Sequence, residues 1–154
     1  MSDLEIKVLV GIPASGKSTY VKSLGETHNI VSYDRMRFAF FHGRFDPDIF
    51  DYLLNIEALV IGCSITVQKK SICVDNTNLE KETRKQYIGF AEELGVRASA
   101  VYFDIPLELA LERNAKREGH RYVPEPRMHE LFGYLEPPKV DEGFFEVRRI
   151  AQSS

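Results

Sequence analysis

Nine consecutive residues, Gly11-Ile12-Pro13-Ala14-Ser15-Gly16-Lys17-Ser18-Thr19, constrain this chain more than any other stretch. They fit the pattern G-x-x-x-x-G-K-[ST] and follow Ile6, Val8, Leu9 and Val10, a run suited to a buried strand. Such a loop works where a strand ends and a helix begins. Its glycines permit positive φ and close backbone approach, so successive N–H groups surround an anion at the helix amino terminus. The reading is a phosphate cradle built from Gly11, Pro13, Ala14, Ser15 and Gly16, with Thr19 closing it. Lys17 would reach the β- and γ-phosphates of a nucleoside triphosphate, and the Ser18 hydroxyl would ligate Mg²⁺.

Strand and helix patterns alternate from there on. Ser18 to Glu26 reads as a helix stopping near Gly25, and Asn29 to Tyr33 as a second strand with Asp34 at its exit. An aromatic stretch follows (Phe38, Phe40, Phe41, Phe45, Phe50), turning at Gly43 and suited to a lid-like insertion. Asp46 as cap and Pro47 at the first helical position open a long helix. Its Ile49, Tyr52, Leu53, Ile56, Leu59, Val60, Cys63 and Val67 repeat at three and four, which predicts an inward face. Ser71 to Val74 fits a central parallel strand, with Asp75 at its exit and Asn78 placed to cap a helix ending before Gly95. Val96 to Phe103 is a fourth strand, Pro106 opens a helix that Gly119 breaks, Pro124 starts a short helix, and Gly143 to Ile150 alternates as a last strand.

Right-handed β-α-β crossovers turn this order into one α/β domain over residues 1–154, with 151–154 a frayed tail. Its central parallel sheet of about five strands carries helices on both faces, and the groups at the strands' carboxyl ends share a crevice. At 154 residues there is no room for a second catalytic domain. A net charge of −3 argues against coating long nucleic acid by overall charge, while local basic patches can still hold a strand end. Residues 1–7 lack a secretory pattern and no run of apolar residues approaches a membrane span, so the expected location is cytoplasmic, or nuclear in a eukaryote, with no membrane partner. Cys63 and Cys73 read as buried thiols.

The acceptor side must decide the reaction. Asp34 is either a helix-capping residue or a base that accepts the proton of an attacking hydroxyl. Arg37, three residues on, shares its side of a helical turn and is either a surface arginine or a holder of an anionic acceptor group. Asp75 fits a metal-shell carboxylate or an Asx turn. Arg113 and Arg117, four apart, suit a lid clamping the transferring phosphates or a solvated basic face. The phenylalanines suit core packing, or stacking on an acceptor base.

Taken in order, G-I-P-A-S-G-K-S-T, Y-D-R-M-R (Tyr33 to Arg37), V-D-N-T-N (Val74 to Asn78) and E-R-N-A-K-R (Glu112 to Arg117) resemble the kinase domain of the polynucleotide 5′-hydroxyl kinases. F-G-Y-L-E-P-P-K-V-D-E-G-F (Phe132 to Phe144) is similar to the end of that domain in animal end-healing enzymes. The resemblance implies a P-loop kinase fold with a helical lid, ATP as donor with Mg²⁺, and a 5′-hydroxyl end of DNA or RNA as acceptor. It implies Asp34 as general base, Arg37 on the phosphate following the acceptor nucleotide, Asp75 positioning that arginine, and Arg113 and Arg117 on donor phosphates. No D-x-D-x-T sequence is present, so the phosphatase often fused in this family is not expected. Relatives that phosphorylate a small hydroxyl metabolite or a sugar nucleotide define a second reading, and a nucleotide-dependent binding or switch protein a third. Oligomeric state is not legible.

Overall fold

In the computed structural model, residues 3–152 are described. Five parallel strands, β1 (Glu5–Val10), β2 (His28–Val31), β3 (Ser71–Val74), β4 (Arg97–Asp104) and β5 (Glu146–Ala151), are ordered β2-β3-β1-β4-β5. β1 lies between β3 and β4, with Ile6 opposite Ile72 on one side and Ala98 on the other. That central place explains its composition: Ile6, Val8, Leu9 and Val10 are fully buried because both faces of the strand are covered. Alternate residues serve opposite faces. Ile6, Val8 and Val10 pack with α3 (Pro47–Thr66) and α4 (Lys81–Leu94), while Leu9, Cys73, Val101 and Phe103 pack with Val21 of α1 (Lys17–Ser23). A third cluster, Ile12, Leu79, Ile105, Ala110 and Met128, fastens α5 (Leu107–Ala115) and α6 (Glu125–Tyr134) beyond the strands' carboxyl ends. The expected α/β sheet with helices on both faces is present.

Several local expectations change. β2 ends at Val31, where Ser32 accepts from the Arg35 N–H and caps α2 (Tyr33–Phe41), so Asp34 sits in a helical first turn. Asp46 caps α3 with Pro47 behind it, as the sequence indicates. The inward face of α3, however, is Leu53, Glu57, Ile61, Ser64 and Ile65. Tyr52, Leu59, Val60, Cys63 and Val67 are exposed, so Cys63 is not a buried thiol whereas Cys73 is. α3 is long and apolar enough to cross a membrane by length and composition, yet Leu53, Ile61 and Ile65 place one side of it in the core against the sheet.

Asn78 caps no helix, since α4 begins at Lys81; it adopts a left-handed backbone and its Nδ2 donates to the Leu9 carbonyl beneath the phosphate loop. The fully buried Arg84 then locks this loop. Its Nη1 donates to the carbonyls of Asn78 and Leu79, and its Nε and Nη2 donate to both oxygens of Glu142 at 2.9 and 2.7 Å. Phe38, Phe40, Phe45 and Phe50 are exposed rather than core. The tail expected to fray from 151 is paired through Ala151, opposite Asp104, and Gln152 is bonded as well. Ser153 and Ser154 lie outside the described residues.

Candidate active site

A cleft of about 1330 Å³ opens over the carboxyl ends of the strands. It exceeds the roughly 300–1,000 Å³ of a single small-ligand pocket, so there is room for two substrates. At its floor, Gly16 takes φ 105° at the start of α1, and no side chain caps that helix. The first N–H groups are thereby left for a ligand. Gly11 is crowded: a Cβ there would come within 2.6 Å of Ser15 Oγ and 3.0 Å of Phe103 Cβ, so a side chain would force its neighbours to shift. Lys17 Nζ donates to the carbonyls of Gly11 and Ile12 at 2.7 and 2.8 Å, holding the loop closed on itself. Burial pushes its pKa down from 10.5 to about 8, with Asp75 and Asp34 opposing and Arg117 adding to the fall. An uncapped helix start, a cramped glycine and a destabilised ammonium fit a polyphosphate.

Pro13, Ala14, Ser15, Ser18 and Thr19 also line the cleft. Metal fit follows from the donor set. Among the described residues there is no cluster of three His, Cys, Asp or Glu side chains able to hold a cation alone. The Ser18 hydroxyl, which lines the same cleft as Asp75, therefore suits an ion that takes its remaining ligands from a nucleotide, as Mg²⁺ does.

Asp34 and Asp75 both face this floor, but in different environments. Asp34 is exposed at 77% of its side chain and paired with Arg37 Nη2 at 3.0 Å. Asp75 is more enclosed: burial raises its pKa, and Lys17 and then Arg35 draw it back. Arg37 itself does not line the cleft. Its guanidinium lies 3.5 Å from the Phe45 ring centroid, with Nε unpartnered. Arg35 lines the cleft, and its charge acts on Asp75 after that of Lys17. Reading helical spacing from Asp34 singled out the third residue on; the adjacent arginine in Y-D-R-M-R was visible but had no period to mark it.

Arg113 and Arg117 both reach the cleft, although not from one helical face. α5 ends at Ala115, and Arg117 follows Lys116, the cap. Arg113 Nη2 donates to Gln152 Oε1 at 2.6 Å, and Arg117 Nη1 donates to the Arg121 carbonyl. The His120 ring, 4.5 Å from that of Phe38, joins this basic segment to α2 across the cleft mouth. The sequence reading did not single out Arg121 and Arg127, which also line the site. Lys17, Arg35, Arg113, Arg117, Arg121 and Arg127 face Asp34, Asp75 and Glu80, six cationic groups against three acidic, in a chain of net charge −3. The positive charge is concentrated where the phosphate loop is.

A family model described as "AAA domain" (AAA_33) matches residues 6–138. The chain is 32% identical over 151 residues to the "Bifunctional polynucleotide phosphatase/kinase" of Schizosaccharomyces pombe, covering 95% of this chain and 33% of that protein. It is 30% identical over 122 residues to the "L-seryl-tRNA(Sec) kinase" of Methanococcus maripaludis, covering 71% of this chain and 45% of that one. The chain thus spans less than half the length of these curated relatives. Among solved structures, a chain of the "Pnkp1/Rnl/Hen1 RNA repair complex" superposes with a TM-score of 0.77 at 20% identity, covering 88% of this chain and 45% of that one.

Proposed function

The chain belongs to the P-loop kinase domains of the AAA_33 family, and from that premise we propose that it transfers the γ-phosphoryl group of ATP to a 5′-hydroxyl end of DNA or RNA. The observation carrying the proposal is the juxtaposition of Asp34 and the phosphate-loop lysine across a positively charged cleft large enough for donor and acceptor together. The identity to a polynucleotide phosphatase/kinase over nearly the whole chain supports the choice of acceptor. In this reading residues 1–154 act as one kinase domain, in the cytoplasm, or in the nucleus of a eukaryote.

Asp34 accepts the proton of the attacking hydroxyl and orients its oxygen in line with the γ-phosphorus. Its exposure leaves it accessible to an acceptor, and its ion pair with Arg37 holds it in place. Lys17, freed from the Gly11 and Ile12 carbonyls, stabilises charge on the β- and γ-phosphate oxygens with Arg113 and Arg117. Ser18 would hold Mg²⁺, which when bound neutralises donor phosphate charge. Arg35 and Arg127 hold acceptor phosphates, and Arg37 supports Asp34 from behind.

The test is transfer of label. The protein, incubated with γ-labelled ATP, Mg²⁺ and a 5′-hydroxyl oligonucleotide, labels the oligonucleotide. Label found only on a small alcohol or sugar nucleotide rejects the nucleic-acid acceptor, and nucleotide binding without transfer to any acceptor rejects the kinase reading in favour of a switch.

A further inference from the structure

Behind the cleft, α3 and α4 enclose a polar cluster for which the transfer chemistry has no use. Glu57 of α3 is 1% exposed. Tyr87 of α4 donates its hydroxyl to Oε1 at 2.6 Å, and Asn76 donates Nδ2 to Oε2 at 3.0 Å. Among the described residues no lysine or arginine forms an ion pair with Glu57. A buried carboxylate held only by neutral donors is a costly way to fill a core, and a well-packed apolar group generally fills it at lower cost.

What the carboxylate does that an amide would not is accept on both oxygens. That fixes which way the Asn76 amide points. With Nδ2 turned to Glu57, Oδ1 faces the other way and accepts the Tyr33 backbone N–H at 2.9 Å. Tyr33 is the first residue of α2, next to Asp34, and its hydroxyl also lies 3.4 Å from that of Tyr87. The Asn76 side chain thus joins the loop after β3, which carries Asp75, to the helical turn that carries Asp34. The Asp75 N–H, donating to the Val31 carbonyl at 2.8 Å, makes a second tie between the same two segments.

We propose that Glu57 is a positioning residue for phosphoryl transfer, orienting the Asn76 amide so that the first turn of α2, and with it Asp34, is registered against the β3 loop. The inference rests on Asp34 being the base.

A double-mutant cycle tests it. Glu57→Gln can still accept from Asn76 Nδ2 through Oε1 while its Nε2 donates to the Tyr87 hydroxyl, so it removes the charge and keeps the Asn76 contact. Asn76→Asp sets two carboxylates face to face. Combined, the new glutamine donates to the new aspartate, whose other oxygen still accepts from Tyr33, and the original connectivity returns with the charge moved by one side chain. Asn76→Asp alone should lose roughly 10- to 100-fold in kcat, the cost of a misplaced reacting group, while Glu57→Gln alone should lose less than about threefold. ATP affinity should stay within about twofold, because the phosphate loop is untouched, and the double variant should recover to within about threefold of wild type. If a single variant fails to fold, Asn76→Ala, which removes the Tyr33 acceptor without burying a mispaired group, must show the same kcat loss.

Wild-type kcat in folded Asn76→Asp or Asn76→Ala overturns the proposal, as does a double variant no faster than Asn76→Asp. The cycle is read on whichever acceptor the wild-type protein phosphorylates. Failure to label oligonucleotides therefore counts against the proposed substrate, whereas a flat cycle with an active wild type counts against Glu57 alone.

Discussion

Raising the pH should discharge Lys17, the donor-phosphate cation, in the nucleotide-free protein. Burial already holds the Lys17 ammonium at about 8, against 10.5 for an ordinary lysine. A triphosphate on the loop places anionic oxygens beside it and raises that pKa again, so binding takes up a proton wherever the empty site has lost one. From a pKa of about 8, the protonated fraction falls from about nine-tenths at about pH 7 to about one-tenth at about pH 9. Nucleotide affinity should therefore fall about tenfold across that interval, or about 1.4 kcal/mol. Titration calorimetry with ATP and Mg²⁺, in two buffers of different ionisation enthalpy, reads both quantities; proton uptake should approach about one per nucleotide near the upper pH. Lys17→Arg should flatten the profile, because a guanidinium does not titrate there. Constant affinity without proton uptake in the native protein would refute the reasoning. The stability of the empty protein runs the opposite way. Its folded-state lysine pKa lies below the unfolded value, so the full cost of the ammonium is present below about 8 and fades as pH rises towards 10.5.

Other outcomes follow from single contacts. Asp34→Asn should slow transfer by about 10²- to 10⁴-fold with ATP affinity nearly unchanged, read by single-turnover kinetics and calorimetry. Glu142→Gln leaves the fully buried Arg84 without a counter-charge and should cost about 3–5 kcal/mol in urea unfolding; a loss under 1 kcal/mol would show that the backbone carbonyls suffice. Cys63, exposed, should react with a thiol reagent in the folded protein, whereas Cys73, buried with its thiol pushed up to about 12, should react only on unfolding. Two fast-reacting thiols would contradict the burial of Cys73.

Features with a local cause were legible in the chain. The phosphate loop, the Asp46-Pro47 helix start and the Gly95 stop each follow from one residue's φ, missing N–H or side-chain oxygen acting within a turn. β1 was legible because a strand covered on both faces must be apolar throughout. The inward face of α3 was not. Its apolar period also passes through Tyr52, Leu59 and Val67, while the face against the sheet includes Glu57 and Ser64, made tolerable by Tyr87 and Asn29, partners distant in sequence. Asn78 reads locally as a cap but bonds Leu9, 69 positions away. The choice between Arg35 and Arg37 is of the same kind, because it depends on where Phe45 and Asp75 come to lie.

Acceptor selection tests the central claim most directly. The kcat/KM for transfer from γ-labelled ATP should be compared across a nucleoside, its 3′-monophosphate and a 5′-hydroxyl oligonucleotide. A cleft whose lining carries three excess positive charges predicts a rise at each added phosphate and a marked fall with salt for the oligonucleotide. Equal rates across the series, or a small uncharged alcohol preferred to all three, would contradict a polynucleotide acceptor.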